Sequence, residues 1–275
     1  MDSNLPTIGF SGEWQAFFGR HPRWPEKFKL LHSTLERVFI RQIAPRSPAD
    51  RVIFLIGRLC VEDFSEVFLL SGNGYGFGAL KILRGLYERV VTSGYIAKHP
   101  DQADAFLEYH HIHQGKMLKH AKPLLEKVKN QISPEELRTT EELYKTYKDK
   151  FREPLCKKCN TYRTRLSWSP LDLASMSRDV DMEELYFAGY YFPTLQTHAT
   201  ASTVMSRLKM KTDGHTTFDP ESQRMWSDRA LVVAHNVIIR VLLIQNTYFN
   251  LLLDDEIEQR KNDFLEIWGH KAAEA

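Results

Sequence analysis

The segment SPADRVIFLIGRLCVEDFSEVFLL, residues 47–70, carries a strong helix signal. Ser47 can cap a helix, Pro48 can take its first position without losing a hydrogen bond, and Asp50 can bond back to the cap. The apolar residues then recur at the spacing of one helix face, as Val52, Leu55, Ile56, Leu59, Cys60 and Phe64. The segment therefore predicts a long amphipathic helix that begins at Pro48.

The same kind of start signal occurs elsewhere in the chain. Ser133-Pro134-Glu135-Glu136 and Ser169-Pro170-Leu171-Asp172 repeat the pattern, and Asp219-Pro220-Glu221 is a related start. Helical spacing also predicts helices over 77–98 and over about 101–130, 134–150, 182–209, 220–253 and 255–268. No alternating run with hairpin turn signals predicts a strand, and Asp213-Gly214 indicates a loop over 209–219.

These patterns predict an all-α fold, a single-domain bundle of about seven to nine helices. A chain of this length can bury a sizeable core without disulfides. Residues 1–24 contain the aromatic side chains Trp14, Phe17, Phe18 and Trp24. We expect them to form a short docking segment on a single all-helical domain that spans residues 25–270.

Composition limits the cellular setting. The net charge is only +2, from 37 basic and 35 acidic residues, so bulk charge shows no electrostatic footprint for nucleic acid. Three cysteines are too few for a secreted disulfide scaffold, and residues 1–20 lack the pattern of a secretory signal. The apolar stretch 230–253 contains His235, Arg240 and Asn246, which favour a buried core helix over a membrane span. We expect a cytoplasmic protein with no membrane partner.

Arg84 and Glu88 are the first candidate site residues. They are four apart on a predicted helix, so their side chains meet on one face, which also carries the apolar Leu80 and Val91. One interpretation is a partly buried ion pair that fixes helix packing, in which loss of one partner costs about 3–5 kcal/mol. The other is a catalytic or binding arginine that holds an anion and is oriented by Glu88, with Tyr87 as a neighbouring ligand-binding residue.

The aromatic tract from Tyr186 to His198 is the second candidate. Tyr190, Tyr191 and Thr194 are candidate ligand-binding residues, and His198, four positions after Thr194, is a candidate general base. The alternative is a packed His198 that bonds to a neighbouring tyrosine hydroxyl.

Two further motifs have the spacing of metal ligands. The His110–His113 segment includes Glu-x-x-His, which is used in helical di-iron sites, but no second copy exists. Cys156 and Cys159 form a lone Cys-x-x-Cys without a matching second pair. We predict no metal site and no cofactor, with solvated histidines and an unligated cysteine pair.

Other catalytic signatures are weak or absent in the sequence. Helical ribonucleases use an Arg followed four to six residues later by a His, and Arg229 with His235 is the one match, although its intervening residues are all apolar. The Gly-rich turn at 72–78 follows a predicted helix, so it is not a dinucleotide-binding fingerprint. Phosphate-loop, nucleophile-elbow and zinc-protease motifs are absent from the sequence.

The run from Leu80 to Glu88 resembles the helical bacterial proteins of domain-of-unknown-function family 5677. Members carry a Leu-Arg-x-Leu-x-Glu-like helix, then a Trp-Ser element, then a Tyr-rich helix that ends in a hydroxyl residue and a His. The corresponding residues here are Trp168-Ser169, the tract 186–191, and Thr194 with His198. The resemblance covers about residues 50–250, and it implies an all-α fold in which Arg84, Glu88 and His198 converge.

Two functions remain open from the sequence. The first is a non-enzymatic binding or interaction module with a groove near Arg84, Tyr87 and His198. The second is a metal-independent ribonuclease of a defence or toxin system, with an Arg and with His198 or His235 as its base. The partner would accordingly be a protein or an RNA, and the aromatic side chains near the N-terminus leave a homodimer open.

Overall fold

A computed structural model describes residues 9–121, 133–156, 159–210, 212–219 and 221–269. The chain divides into two compact units. The first unit comprises Met1–Lys98 with Leu173–Ala275, and the second comprises His99–Asp172. The predicted boundaries of the docking segment, 1–24, and of the domain, 25–270, stay predictions.

The fold is mostly helical, as the sequence predicts, with 72% of the residues in helices. The described ranges contain eleven α-helices: α1 (Glu13–Arg20), α2 (Trp24–Phe39), α3 (Pro48–Gly72), α4 (Gly76–Lys98), α5 (Ala103–Ala121), α6 (Pro134–Tyr147), α7 (Leu173–Asp179), α8 (Phe192–Thr197), α9 (Ala201–Met205), α10 (Arg224–Phe249) and α11 (Asp254–Trp268).

The predicted count of seven to nine helices is wrong, mainly because residues 182–209 do not form one helix. The region consists of a 3-10 turn at Glu183–Leu185, a π-helix at Phe187–Tyr191, then α8 and α9, and it ends in a strand. The backbone leaves α8 at His198, whose conformation is extended. A helix-period pattern does not distinguish these short pieces from one continuous helix.

Two of the four predicted helix starts are confirmed. The Ser47 hydroxyl accepts a hydrogen bond from the Asp50 N–H at 3.1 Å, at the start of α3. Ser133 and Glu136 form a complete capping box at the start of α6, with bonds of 3.2 and 2.8 Å. In both cases the cap, the proline and the acid act as the sequence pattern requires.

The other two starts are wrong, because their polar side chains close short turns. The Ser169 hydroxyl accepts from the Leu171 N–H at 3.0 Å, and α7 begins only at Leu173. The Asp219 carboxylate accepts from the Glu221 N–H at 3.0 Å, and α10 begins only at Arg224. Such turns over two residues compete directly with helix capping.

Two small antiparallel hairpins were not expected from the sequence. In the second unit, β1 (Arg152–Cys156) pairs with β2 (Thr161–Thr164), and in the first unit β3 (Leu208–Met210) pairs with β4 (Thr216–Phe218). All four strands are short and largely exposed, so they carry no alternating apolar pattern. The predicted loop at 209–219 is therefore the second hairpin, whose turn includes Gly214 at φ +82°.

The core of the first unit lies where α3, α4 and α10 pack together. Helix α10 is long and apolar enough to cross a membrane, but most of its apolar window is buried within the protein, as in a core helix. Trp24, Trp268 and Phe64 are fully buried around His235. Nearby, Trp14 and Phe17 of α1 pack against Phe68 of α3.

In the second unit α5 packs against α6. Gly115 makes this packing close, because a Cβ atom there would lie 2.2 Å from the Tyr144 ring. Helix α5 ends at Ala121, and the remainder of the predicted 101–130 helix lies outside the described residues.

Candidate functional site

Arg84 lies on α4 and reaches the segment that follows residue 186. Its Nε donates a hydrogen bond to Thr194 Oγ1 at 3.0 Å, and its guanidinium donates to the Tyr190 hydroxyl at 3.1 Å. The guanidinium carbon also lies 4.8 Å from the centre of the Tyr190 ring, a distance typical of a cation–π contact. Two neutral side chains therefore orient the guanidinium of Arg84.

Glu88 approaches the same guanidinium from the next turn of α4. The closest N–O distance of this pair is 3.5 Å, and the exposed side-chain fractions are 27% for Arg84 and 48% for Glu88. Ion pairs with this exposure contribute about 0–1 kcal/mol. The pair is half-open to solvent, so a sealed structural ion pair does not describe it. We call Arg84, Glu88, Tyr190 and Thr194 the Arg84 site.

Thr194 and Tyr190 are themselves held in place. The Thr194 hydroxyl donates to the backbone carbonyl of Tyr190 at 2.7 Å and accepts from Arg84. Tyr190 belongs to the π-helix, and Thr194 belongs to α8, which follows it directly. The two residues are four apart, and the bond between them fixes the Thr194 hydroxyl, one of the two acceptors of Arg84.

Tyr87 lies beneath the site and not at its surface. Its side chain is fully buried, and its hydroxyl lies 2.8 Å from Ser177 Oγ and donates to the Met182 carbonyl at 2.8 Å. Burial raises the pKa of Tyr87 to about 12. Because no surface of Tyr87 is open to a ligand, we leave it out of the proposed binding residues.

Gly189 allows the π-helix to approach α4 closely. A Cβ atom at Gly189 would lie 2.7 Å from Cδ2 of the Tyr87 ring, a distance that side chains do not tolerate. The rings of Tyr186 and Tyr190 also contact Tyr87, with centroid separations of 6.3 Å each. Single-turn π-helices are frequent at functional sites, because they re-aim neighbouring side chains.

Tyr191 and Phe187 form an exposed aromatic pair on the same π-helix. Their rings stack with centroids 5.9 Å apart, and 51% of Tyr191 and 65% of Phe187 are exposed. Phe187 was not among the candidate residues, although its spacing of four from Tyr191 places both on one helix face. The pair presents exposed aromatic surface on the π-helix that also carries Tyr190.

His198 is exposed at the end of α8, one turn after Thr194. Its backbone N–H donates to the Thr194 carbonyl at 3.3 Å. No described contact joins its imidazole to Arg84 or Glu88. The structure therefore brings together Arg84, Glu88, Tyr190 and Thr194, with His198 on the same short helix but outside the hydrogen-bond network.

His235, the alternative base, is buried in the core. Its Nδ1 accepts a hydrogen bond from the Trp268 indole at 3.1 Å, and burial lowers the pKa of its imidazole to about 3. The side chain of Arg229 is exposed and lies over Trp226. A buried, neutral imidazole bonded to an indole supports packing and does not favour a role as base.

The histidine-rich segment of the second unit faces tyrosines. His111 stacks on Tyr147 with centroids 4.9 Å apart, and His113 lies edge-on to Tyr109 at 4.7 Å. Burial lowers the pKa of His113, and the neighbouring Lys116 adds to this effect. Among the described residues, no cluster of three or more His, Cys, Asp or Glu side chains could hold a metal ion.

Cys156 and Cys159 lie at the tip of the β1–β2 hairpin. Cys156 is the last residue of β1 and is half-buried, whereas Cys159 is exposed and its Sγ lies 3.2 Å from the Thr161 hydroxyl. Residues 157–158 between them lie outside the described ranges.

The fold and the Arg84 site define a mostly helical protein with a partly exposed arginine held by hydroxyl groups. A family model described as a family of unknown function (DUF5677) matches residues 50–215, more than half of the chain. The chain belongs to this family, which confirms the membership predicted from the sequence. No curated protein and no solved structure matches it.

Proposed function

We propose that the chain is a non-enzymatic binding module of the cytosol and that the Arg84 site receives an acidic side chain of a partner protein. The observation that carries the proposal is the pair of hydroxyl groups, from Thr194 and Tyr190, that hold the guanidinium at 3.0 and 3.1 Å. An arginine that is fixed by neutral groups loses little freedom when it binds an anion.

Glu88 supports this proposal as a displaceable partner. Its separation of 3.5 Å from Arg84 is longer than a charge-assisted hydrogen bond of about 2.7–2.9 Å. An incoming carboxylate can therefore form a closer bidentate pair with Arg84 while Glu88, already half-exposed, turns into solvent.

The exposed pair of Phe187 and Tyr191 favours a protein as the partner. Aromatic residues and arginine are enriched among the side chains that dominate protein interfaces. A partner segment with an acidic residue next to an apolar one would match both the charge of Arg84 and the apolar surface of the aromatic pair.

The ribonuclease alternative depends on His198, the exposed member of the two candidate bases. His198 follows Thr194 by one turn, and Thr194 is bonded to Arg84. Thr194 therefore links the position of His198 to that of Arg84. An RNA cleavage assay therefore accompanies the peptide-binding experiment as a test of the ribonuclease function.

A displayed library of short peptides can test the proposal. We expect wild type to select peptides in which Asp or Glu adjoins an apolar residue. Arg84→Gln should weaken binding of a selected peptide by about tenfold or more, the loss of one charge-assisted contact. Arg58→Gln is the matched control, because Arg58 forms a comparable pair with Glu62 on the exposed face of α3.

Selection of peptides without acidic residues, or equal binding by Arg84→Gln, would contradict the proposal. In the parallel assay, each protein is incubated with a fluorescent single-stranded RNA and a metal chelator. RNA cleavage that disappears in His198→Ala but persists in Arg58→Gln would contradict the binding-module proposal and favour the ribonuclease function.

A further inference from the structure

A cavity lies in the first unit, where the start of α4, the β3–β4 hairpin and the start of α10 meet. The cavity has a volume of about 260 Å³. Its lining includes the aromatic residues Phe77 and Trp226, the charged residues Arg207 and Asp219, and the hydroxyl residues Ser206 and Ser222. We call it the Arg207 cleft.

The Gly-rich turn at 72–78 builds the floor of this cleft. A Cβ atom at Gly76 would lie 2.5 Å from the Ser227 backbone nitrogen, so glycine permits the starts of α4 and α10 to touch. The Gln223 side chain accepts a hydrogen bond from the Phe77 N–H at 3.1 Å, and the Gln223 backbone N–H donates to the Gly74 carbonyl at 2.9 Å. These contacts place the rings of Phe77 and Trp226 5.5 Å apart.

Arg207 is the uncompensated charge of the cleft. Its guanidinium lies 4.3 Å from the centre of the Phe77 ring and 5.7 Å from that of Phe218. In the part of the chain that the structure describes, no carboxylate forms an ion pair with it. Aromatic faces orient a guanidinium while they leave its N–H edge free for an anion.

The other charged side chains of the cleft already have partners. Arg224 is held by two Glu13 oxygens at 2.7 and 3.1 Å, and Asp219 pairs with Lys209 at 3.1 Å. The Ser206 hydroxyl donates to the Thr203 carbonyl at 3.0 Å. Arg207 is therefore the group through which this cleft can attract a ligand.

We propose that the Arg207 cleft binds a small monocarboxylate with an apolar or aromatic body. The guanidinium of Arg207 would hold the carboxylate in bidentate fashion, and the apolar body would contact Phe77 and Trp226. Among the described charged side chains of the lining, Arg224 and Asp219 are already paired, so a second negative charge, such as that of a phosphate monoester, would find no cationic partner beside Arg207. The volume, slightly under the usual range of about 300–1,000 Å³, selects a small ligand.

Fluorine NMR of protein labelled with 5-fluorotryptophan tests the proposal, with Trp226→Phe to assign the resonance. The probes are benzoate, neutral benzamide and phenyl phosphate. We expect benzoate to shift the Trp226 resonance saturably in wild type, whereas benzamide leaves it unchanged and phenyl phosphate binds more weakly. Arg207→Gln should weaken benzoate binding at least about tenfold.

Arg229→Gln is the matched control, because Arg229 lies over the same Trp226 ring at 5.1 Å but does not line the cleft. Arg229→Gln should bind benzoate as wild type does. Arg84→Gln should also bind benzoate as wild type does, so the benzoate experiment is independent of the peptide experiment on the Arg84 site. Equal shifts with benzoate and benzamide, tighter binding of phenyl phosphate, or no saturable shift in wild type would each overturn the proposal. The comparison of the three probes on wild type tests the proposal even if Arg207→Gln fails to fold.

Discussion

The core around His235 and the surface around Arg84 each hold one nitrogen-bearing side chain, but in opposite surroundings. In the core, His235 is enclosed by Trp24, Trp268 and Phe64, and its Nδ1 accepts a hydrogen bond from the Trp268 indole. At the surface, Arg84 is held by hydroxyl groups and stays part-exposed. Burial therefore separates the packing role of His235 from the solvent-facing position of Arg84.

The largest expected effect is on the core. Trp268→Ala removes a fully buried ring and leaves His235 Nδ1 without its donor. We expect the free energy of unfolding to fall by about 3–5 kcal/mol in urea titrations, as for other buried aromatic truncations. Leu265→Ala, an exposed position on the same helix, should change it by less than about 1 kcal/mol. Similar losses for both variants would break the distinction between core and surface.

The second prediction concerns the pH dependence of stability. Burial lowers the pKa of His235 from 6.5 to about 3. Because the unfolded chain binds this proton at higher pH, stability is full above about pH 6.5 and falls by up to roughly 1.4 kcal/mol per pH unit as the pH drops toward 3. In His235→Gln, unfolding titrations between about pH 6.5 and 5 should show a correspondingly flatter slope. An unchanged slope would mean that His235 is accessible to protons in the folded state.

The third prediction compares two tyrosines of neighbouring segments. Tyr87→Phe removes the hydroxyl that contacts Ser177 and Met182, and we expect a loss of about 1–2 kcal/mol, because these buried groups then lack a partner. Tyr191→Phe, at an exposed position, should have almost no effect on thermal unfolding. If the two substitutions shift the melting temperature equally, the division between scaffold and site is misplaced.

Much of the helical framework could be predicted from local sequence. The caps at Ser47 and Ser133 and the family membership are confirmed. The starts at Ser169 and Asp219 failed, because a hydroxyl or carboxylate closes a turn over two residues as readily as it caps a helix. Local pattern does not contain the tertiary contacts that decide between these outcomes.

The candidate site shows the same limit. The pairing of Arg84 with Glu88 follows from helical spacing, whereas its bonds to Tyr190 and Thr194 span more than one hundred residues of sequence. From the sequence alone, Tyr87 and His235 were as suitable for a functional site as Tyr191 and His198. Their burial depends on how α4 and α10 pack, which no single segment encodes.

The most direct test of the account measures stability and binding together for Arg84→Gln. Because Arg84 is partly exposed, we expect the substitution to change the free energy of unfolding by less than about 1 kcal/mol. Binding of a selected acidic peptide should weaken by about tenfold or more. A loss of about 3–5 kcal/mol in stability with unchanged peptide binding would contradict it. That result would show that Arg84 and Glu88 form a structural ion pair and that the partner surface lies elsewhere.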